Sequence, residues 1–274
     1  MRIFLSGQDR IRRKRSGVLP EWGWTRKTNF YRFIRRASCY GWGMTVIFDA
    51  DDTLWHNMNV FSDTHAQFAA VLKPYFADAE RLQDELEATE YRNIQHFGYG
   101  VKGFTLSMVE TAIDVTEGRI DAASIREILE MGKAMLSAPV DLLPRVAETV
   151  QTLAERYPVG VITKGDLFNQ ETKIARSGLA ELFQFVEVVS EKNPETYAKL
   201  FDRHQLETAN VTMVGNSLKS DVLPVLRLGG RAVHIPYELT WVHEEAELPE
   251  EFSSLDRFRA LGSISDLPQL LASW

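Results

Sequence analysis

Cysteine is nearly missing: Cys39 is the single one in 274 residues, so no disulfide can close within the chain. That suits a reducing compartment, with the cytoplasm as the default expectation. Also missing is any run near the roughly 18 consecutive apolar residues of a membrane span, or the shorter apolar middle of a secretory signal. No membrane partner is expected. Internal repeats and low-complexity tracts are absent as well. What remains is ordinary globular composition, 45% hydrophobic and 25% charged, enough to bury the core of one large domain or two modest ones.

Positive charge is scarce over most of the chain. Residues 1–43 hold eleven Lys/Arg against Asp9 and Glu21, a charge of +9, whereas from Met44 on 20 basic residues face 36 acidic ones, a charge of −16. Affinity for nucleic acid rests on Lys/Arg contacts to phosphate, so an acidic body argues against a nucleic-acid-binding core and favours a small-molecule ligand. The basic segment 1–43 reads in three ways: a disordered extension, a translated leader upstream of a start at Met44, or a targeting or anion-binding arm. Met44 immediately precedes the first apolar strand, which motivates the leader reading. No catalytic role is assigned to the segment.

Thr45-Val46-Ile47-Phe48 is a short apolar, β-branched run that ends in three carboxylates, Asp49, Asp51 and Asp52. It reads as a buried parallel strand. Further on, strands at 159–163, 185–189 and 211–214 alternate with helices at 170–177 and 195–204, followed by strands at 232–235 and 258–261. Val146, Val150, Leu153 and Ala154 share one face of a helix ahead of them. This βαβ rhythm predicts an α/β fold, a doubly wound parallel sheet. The first strand is separated from the second by a stretch too long to be a structureless connection. Phe104, Met108, Ala112 and Val115 recur within it at helical spacing, which predicts an inserted all-helical unit at 58–137 and a core made of 44–57 and 138–274. The return linker at 137–144 contains Pro139 and Pro144.

The densest chemistry is Phe48-Asp49-Ala50-Asp51-Asp52-Thr53-Leu54. It lies at the C-terminal end of the first strand, the edge where open parallel sheets bind ligands. Clustered carboxylates repel one another and a bound cation relieves the repulsion. Hard oxygen donors without a His or Cys cluster favour Mg²⁺ over zinc. The bland alternative is a polar turn or helix cap at Asp51-Asp52-Thr53. The segment resembles the first motif of the haloacid dehalogenase superfamily, an apolar strand followed by Asp-x-Asp-x-Thr, which Asp49, Asp51 and Thr53 fill without mismatch. The resemblance implies a Rossmann-like core, a Mg²⁺ cofactor and a nucleophilic Asp49 that attacks phosphorus. Asp51 would protonate the leaving alcohol and then activate water.

The same resemblance reaches to about Tyr237 and implies roles at three more strand ends. Thr163, helped by the amides of Lys164-Gly165, would bind the transferring phosphoryl group. Lys192 would neutralise it, with Lys199 as the substitute candidate; Asn193-Pro194-Glu195 reads as the start of a helix. In Val214-Gly215-Asn216-Ser217-Leu218-Lys219-Ser220-Asp221, Asn216 stands where many relatives place an Asp, and an amide offers a carbonyl oxygen without charge. Asp221 then binds Mg²⁺ or orients its water, and Asp49, Asp51, Asn216 and Asp221 are the expected metal set. The inserted helices resemble the family's cap, which closes over the site and selects substrate. Within the polar and aromatic stretch 91–102, Arg92 and Lys102 are the candidates for contact with the leaving group. Trp55 and His56 are expected on the hairpin between core and cap, His56 in a structural role. Trp241, His243 and Glu244 either close one side of the pocket or form a surface loop, the latter preferred.

The function so implied is Mg²⁺-dependent hydrolysis of a small phosphorylated metabolite through an aspartyl-phosphate. The alternatives are a dehalogenase of the same fold, which needs neither Mg²⁺ nor an acid at Asp51, a phosphomutase, and a catalytically silent metabolite-binding relative suggested by Asn216. No oligomeric state follows from the sequence.

Overall fold

A computed structural model describes residues 43–239, 244 and 246–274. The basic segment apart from Gly43, together with Trp241 and His243, lies outside these described residues. The chain runs β1 (Thr45–Phe48), α1 (Met58–Leu72), α2 (Ala79–Phe97), α3 (Val101–Val115), α4 (Ala122–Ser137), α5 (Val146–Ala154), β2 (Val159–Lys164), α6 (Leu167–Arg176), β3 (Phe185–Val189), α7 (Pro194–Arg203) and β4 (Val211–Gly215). A π-helical turn (Leu218–Val222) leads into α8 (Leu223–Leu228), β5 (Arg231–His234), α9 (Glu250–Ser253), β6 (Phe258–Ala260) and α10 (Leu267–Ala272). Among the described residues no helix is long and apolar enough to cross a membrane.

The six strands form one parallel sheet in the order β3-β2-β1-β4-β5-β6. Both faces are covered, and alternation along the strands sorts their side chains. Val46, Phe48, Val159, Val161 and Val214 pack with Val150, Leu153 and Leu267 on one face. Ile47, Ile162 and Met213 pack with Tyr197, Phe201 and Val225 on the other. A strand buried on both sides reads as a continuous apolar run, which is why β1 and β4 are legible in the sequence. β1 pairs with β2 on one flank and β4 on the other, so the strand order reverses beside it. Crevices at such reversals, beyond the carboxyl ends of the strands, are where these sheets hold ligands.

Helices α1 to α4 bury an apolar cluster of their own, with Phe68, Leu86, Phe104, Met108 and Ile128 at its centre. The outgoing and returning linkers run side by side: the His56 N–H donates to Asp141 O at 2.9 Å and the Leu143 N–H to Leu54 O at 3.0 Å. Trp55 lies on this paired linker, bridged to Leu142, and is 1% exposed because it packs into the sheet's core cluster.

β1 and β3 end where the sequence places them, and the other strand and helix ends of the core differ by at most three residues. The largest difference is at α6, which starts at Leu167 because the Asp166 side chain caps it, accepting the Asn169 N–H at 2.9 Å.

Candidate active site

β1 keeps its pairing one residue past its end, with the Asp49 N–H donating to Val214 O at 2.8 Å. The chain then turns tightly: the Thr53 and Leu54 N–H groups both donate to Ala50 O, at 3.3 and 2.8 Å, and Asp52 takes a positive φ of 61°. Ala50 is wholly buried beneath the turn. The turn breaks the strand's alternation, so Asp49 and Asp51 are presented to one cavity. The bland reading holds for Asp52 alone: its Oδ1 accepts the Asn57 and Met58 N–H groups at 2.8 and 3.0 Å and so tethers the start of α1. Burial pushes its carboxyl up to about 7.

Lys192, with 2% of its side chain exposed, donates to Asp49 Oδ1 and, at 2.7 Å, to Asp221 Oδ1. Burial pulls its pKa down, but the two carboxylates outweigh this and hold it well above the ordinary lysine value, so it remains an ammonium. Burial pushes Asp49 up to about 7, with Lys192 pulling against it and Asp221 adding to the push. The Thr53 hydroxyl lies 3.1 Å from Asp49 Oδ2 and 3.2 Å from Asn216 Oδ1, and accepts the Asn216 N–H at 3.1 Å. Asp221 sits on the π-helical turn, its Oδ2 accepting the Ser217 N–H at 3.0 Å. It fits only because position 215 is glycine: a Cβ there would lie 2.2 Å from Asp221 Oδ2.

Asp51 has different company. Its Oδ1 accepts from Trp55 Nε1 at 2.7 Å and Lys173 Nζ at 2.8 Å, and its Oδ2 from Gln170 Nε2 at 2.9 Å. Burial pushes its pKa up, yet the Lys173 charge and these hydrogen bonds outweigh it and hold the carboxyl below its usual value. Lys173 is pinned in turn by Asn57 Oδ1 at 2.8 Å. Gln170 also reaches Thr163 Oγ1 and Lys164 O, each at 3.0 Å, while its own Oε1 is buried without a partner among the described residues.

The donor chemistry fits the implied Mg²⁺. Asp49, Asp221 and the Asn216 carbonyl oxygen gather around Thr53 and Lys192, and Mg²⁺ takes one or two carboxylates with water and phosphate oxygens. No group of three or more His, Cys, Asp or Glu able to hold a metal occurs among the described residues, so the set is not that of a protein-only cage. The fourth expected ligand, Asp51, has both carboxylate oxygens bonded to Trp55, Lys173 and Gln170, as those of Asp49 are to Lys192 and Thr53.

Asp49, Asp51, Thr163, Lys164, Gly165, Lys192, Asn216 and Asp221 line one cavity of about 180 Å³. Arg92 and Lys102 do not: Arg92 points to Thr89 and Glu110, and Lys102 pairs with Asp166 at 2.9 Å. Helical periodicity locates these residues on helices without saying which helix face covers the cavity. Lys199 is exposed and bonded to Glu195, so it is no substitute for Lys192. His56 faces the Tyr237 hydroxyl at 2.6 Å and not this cavity. The preferred surface-loop reading fails for Glu244, which lines the cavity, pairs with Lys164 and accepts from the Ser217 and Ser220 hydroxyls. Burial pushes Glu244 up, but Lys164 and the serines hold it below its usual value. Gln170 and Lys173 are site residues that the motifs do not reveal, although their i, i+3 spacing on the helix after β2 is a signal in the sequence. Glu244 lies in an irregular segment and offers none.

Comparison with known proteins agrees with this geometry. A family model described as haloacid dehalogenase-like hydrolase matches residues 44–229. Among curated proteins, a glyceraldehyde 3-phosphate phosphatase from Pyrococcus furiosus is 30% identical over 122 residues, 43% of this chain and 47% of that protein. The match thus spans about half the length of that relative. A pyrimidine 5'-nucleotidase from Escherichia coli is 24% identical over 67% of this chain and 82% of its own. Among solved structures, a haloacid dehalogenase-like family hydrolase from Xanthomonas campestris superposes with a TM-score of 0.76 at 42% identity, covering 86% of this chain and 94% of that one. A family match over more than half the chain, on a parallel sheet that carries the motif aspartates at its central strand, makes this protein a member of the haloacid dehalogenase-like hydrolases.

Proposed function

We propose that the protein is a Mg²⁺-dependent phosphomonoesterase in which Asp49 is phosphorylated by a small metabolite and then dephosphorylated by water. The observation that carries this reading is the arrangement of two aspartates at the end of β1 in unlike settings, one between Lys192 and Thr53, the other between Lys173, Gln170 and Trp55. The phosphatase and nucleotidase among its relatives support a phosphate ester as substrate.

Lys192 and Thr53 fix the two oxygens of Asp49 and so aim the nucleophile. Attack on a phosphoryl dianion meets about 4 kcal/mol of repulsion per charge pair at 4 Å in an effective dielectric near 20. The buried Lys192 ammonium offsets part of it, and Mg²⁺ held by Asp49, Asp221 and Asn216 would supply the remaining positive charge. The buried Thr163 hydroxyl and the Lys164 amide serve the transferring group's oxygens, whereas the Gly165 N–H, expected to help, is given to Val189 O at 3.2 Å. Asp51 is held as a carboxylate, the form needed to take a proton from water in the second half-reaction. In the first half-reaction the arriving phosphoryl charge beside it raises its proton affinity, so it can deliver a proton to the leaving oxygen. A dehalogenase would leave unexplained why three side chains converge on Asp51. Helices α1 to α4 act as the cap, tied to the core by Lys102 to Asp166 and by Tyr99, whose ring lies 4.0 Å from Lys164 Nζ and whose hydroxyl donates to Glu191 at 2.9 Å.

Hydrolysis of para-nitrophenyl phosphate with and without Mg²⁺ tests the reading. Phosphate release that requires the ion and falls at least a thousandfold in Asp49→Asn is expected. Its absence across a broad panel of metabolite phosphates would overturn the proposal.

A further inference from the structure

Beyond the reacting groups, the same cavity continues between α1, α2 and α3, where Phe61, Ile94 and Phe104 form apolar walls. Three polar side chains interrupt them. Glu90, 8% exposed, has a buried Oε2 with no hydrogen-bond partner among the described residues. His65 Nε2 is likewise buried and without a partner, the ring's other polar contact being Gln83. Asn93 gives its amide N–H groups to Ser107 Oγ at 3.2 Å and Glu110 Oε2 at 2.8 Å, which leaves it a carbonyl oxygen. Burial holds His65 below its ordinary value, so the ring is neutral, and with its proton on the Gln83 side Nε2 is an acceptor. Glu90 Oε2 and His65 Nε2 therefore wait for a donor, and the Asn93 carbonyl oxygen offers a further acceptor in the same cavity. A buried polar group without a partner costs about 1–3 kcal/mol, so the two at Glu90 and His65 around one space are unlike an ordinary helix interface.

We infer that this end of the cavity is a recognition site for a primary amine on the leaving group, with Glu90 as the residue that determines specificity. An ammonium brings donors for these acceptors and a positive charge for a carboxyl that has no ion-pair partner among the described residues. Burial, with Glu87 adding, pushes the Glu90 carboxyl up to about 8, and an ammonium beside it would pull it back down. The inference rests on the phosphomonoesterase reading and narrows its substrates to amino-bearing phosphate esters.

The test pairs 2-aminoethyl, 4-aminobutyl and 6-aminohexyl phosphate with ethyl, butyl and hexyl phosphate, comparing kcat/KM within each pair at pH 7.5. The native chain should prefer the amine at least 30-fold at one length, mainly through KM. In Glu90→Leu that preference should fall below threefold, and Glu90→Gln, which keeps the shape, should lower it about tenfold or more if the leucine variant does not fold. Equal use of amine and alkane at every length, or a preference that survives both substitutions, would overturn the inference while leaving hydrolysis of para-nitrophenyl phosphate intact. Loss of all phosphate release in the native chain would instead sink the phosphomonoesterase reading and this one with it.

Discussion

Lys192 stands between two carboxylates in a site that water scarcely reaches, and its removal leaves Asp49 and Asp221 facing each other. Breaking such a buried arrangement costs about 3–5 kcal/mol. Lys192→Met should lower stability by that order in urea melts run without metal, and Mg²⁺ should restore part of it. A change under about 1 kcal/mol would mean that the carboxylates are not held as the geometry has them. Glu90 makes a pH prediction of the opposite kind. Its folded value of about 8 lies above the ordinary 4.5, so it binds a proton more tightly when folded. Its contribution is fully present below about 4.5 and is lost as pH rises through about 8. Glu90→Gln should match the native chain near pH 4 and exceed it by a few kcal/mol, on the order of 1–3, at pH 9. Parallel stability curves for the two proteins across that range would rule out the buried carboxyl as their source of pH dependence.

At the scale of elements, strands announced themselves and helix orientation did not. β1, β2 and β4 each end a short apolar run in a polar residue, so Asp49, Thr163 and the loop holding Asn216 and Asp221 were legible as groups sharing one sheet edge. The amphipathic pattern of α2 and α3 located helices but could not show that Glu90 and Asn93, instead of Arg92, face the cavity. Helical periodicity places the start of α6 at Gln170, because a capping role for Asp166 leaves no trace in it, and the partners of Asp51 stay hidden with that first turn. That cap is testable by itself. Asp166→Ala should cost about 1 kcal/mol, a fall in Tm of about 2–4 °C. Asp166→Asn should retain the cap while losing the exposed pair with Lys102, which is worth little. If both variants melt alike, the pair and not the cap fixes α6.

At the scale of the whole molecule, negative charge dominates from Met44 onward, and the cavity concentrates it in Asp49, Asp51, Asp52, Asp221 and Glu244 against Lys164, Lys173 and Lys192. Each lysine is already matched to a carboxylate, which leaves a deficit of positive charge where a phosphoryl group must bind. A divalent cation that binds the folded chain and not the unfolded one stabilises by mass action, by about 2.7 kcal/mol at a hundred times its Kd. For a chain of this size that corresponds to a rise in Tm of roughly 5–10 °C. Saturating Mg²⁺ should produce it, a chelator should reverse it, and Asp221→Asn should remove most of it without abolishing the fold, since the amide oxygen can still accept one of the two bonds, from Lys192 or from the Ser217 N–H. Melting curves that ignore Mg²⁺ in the native chain, or shift equally in the variant, would show that the charge deficit is met by something other than an ion at Asp221.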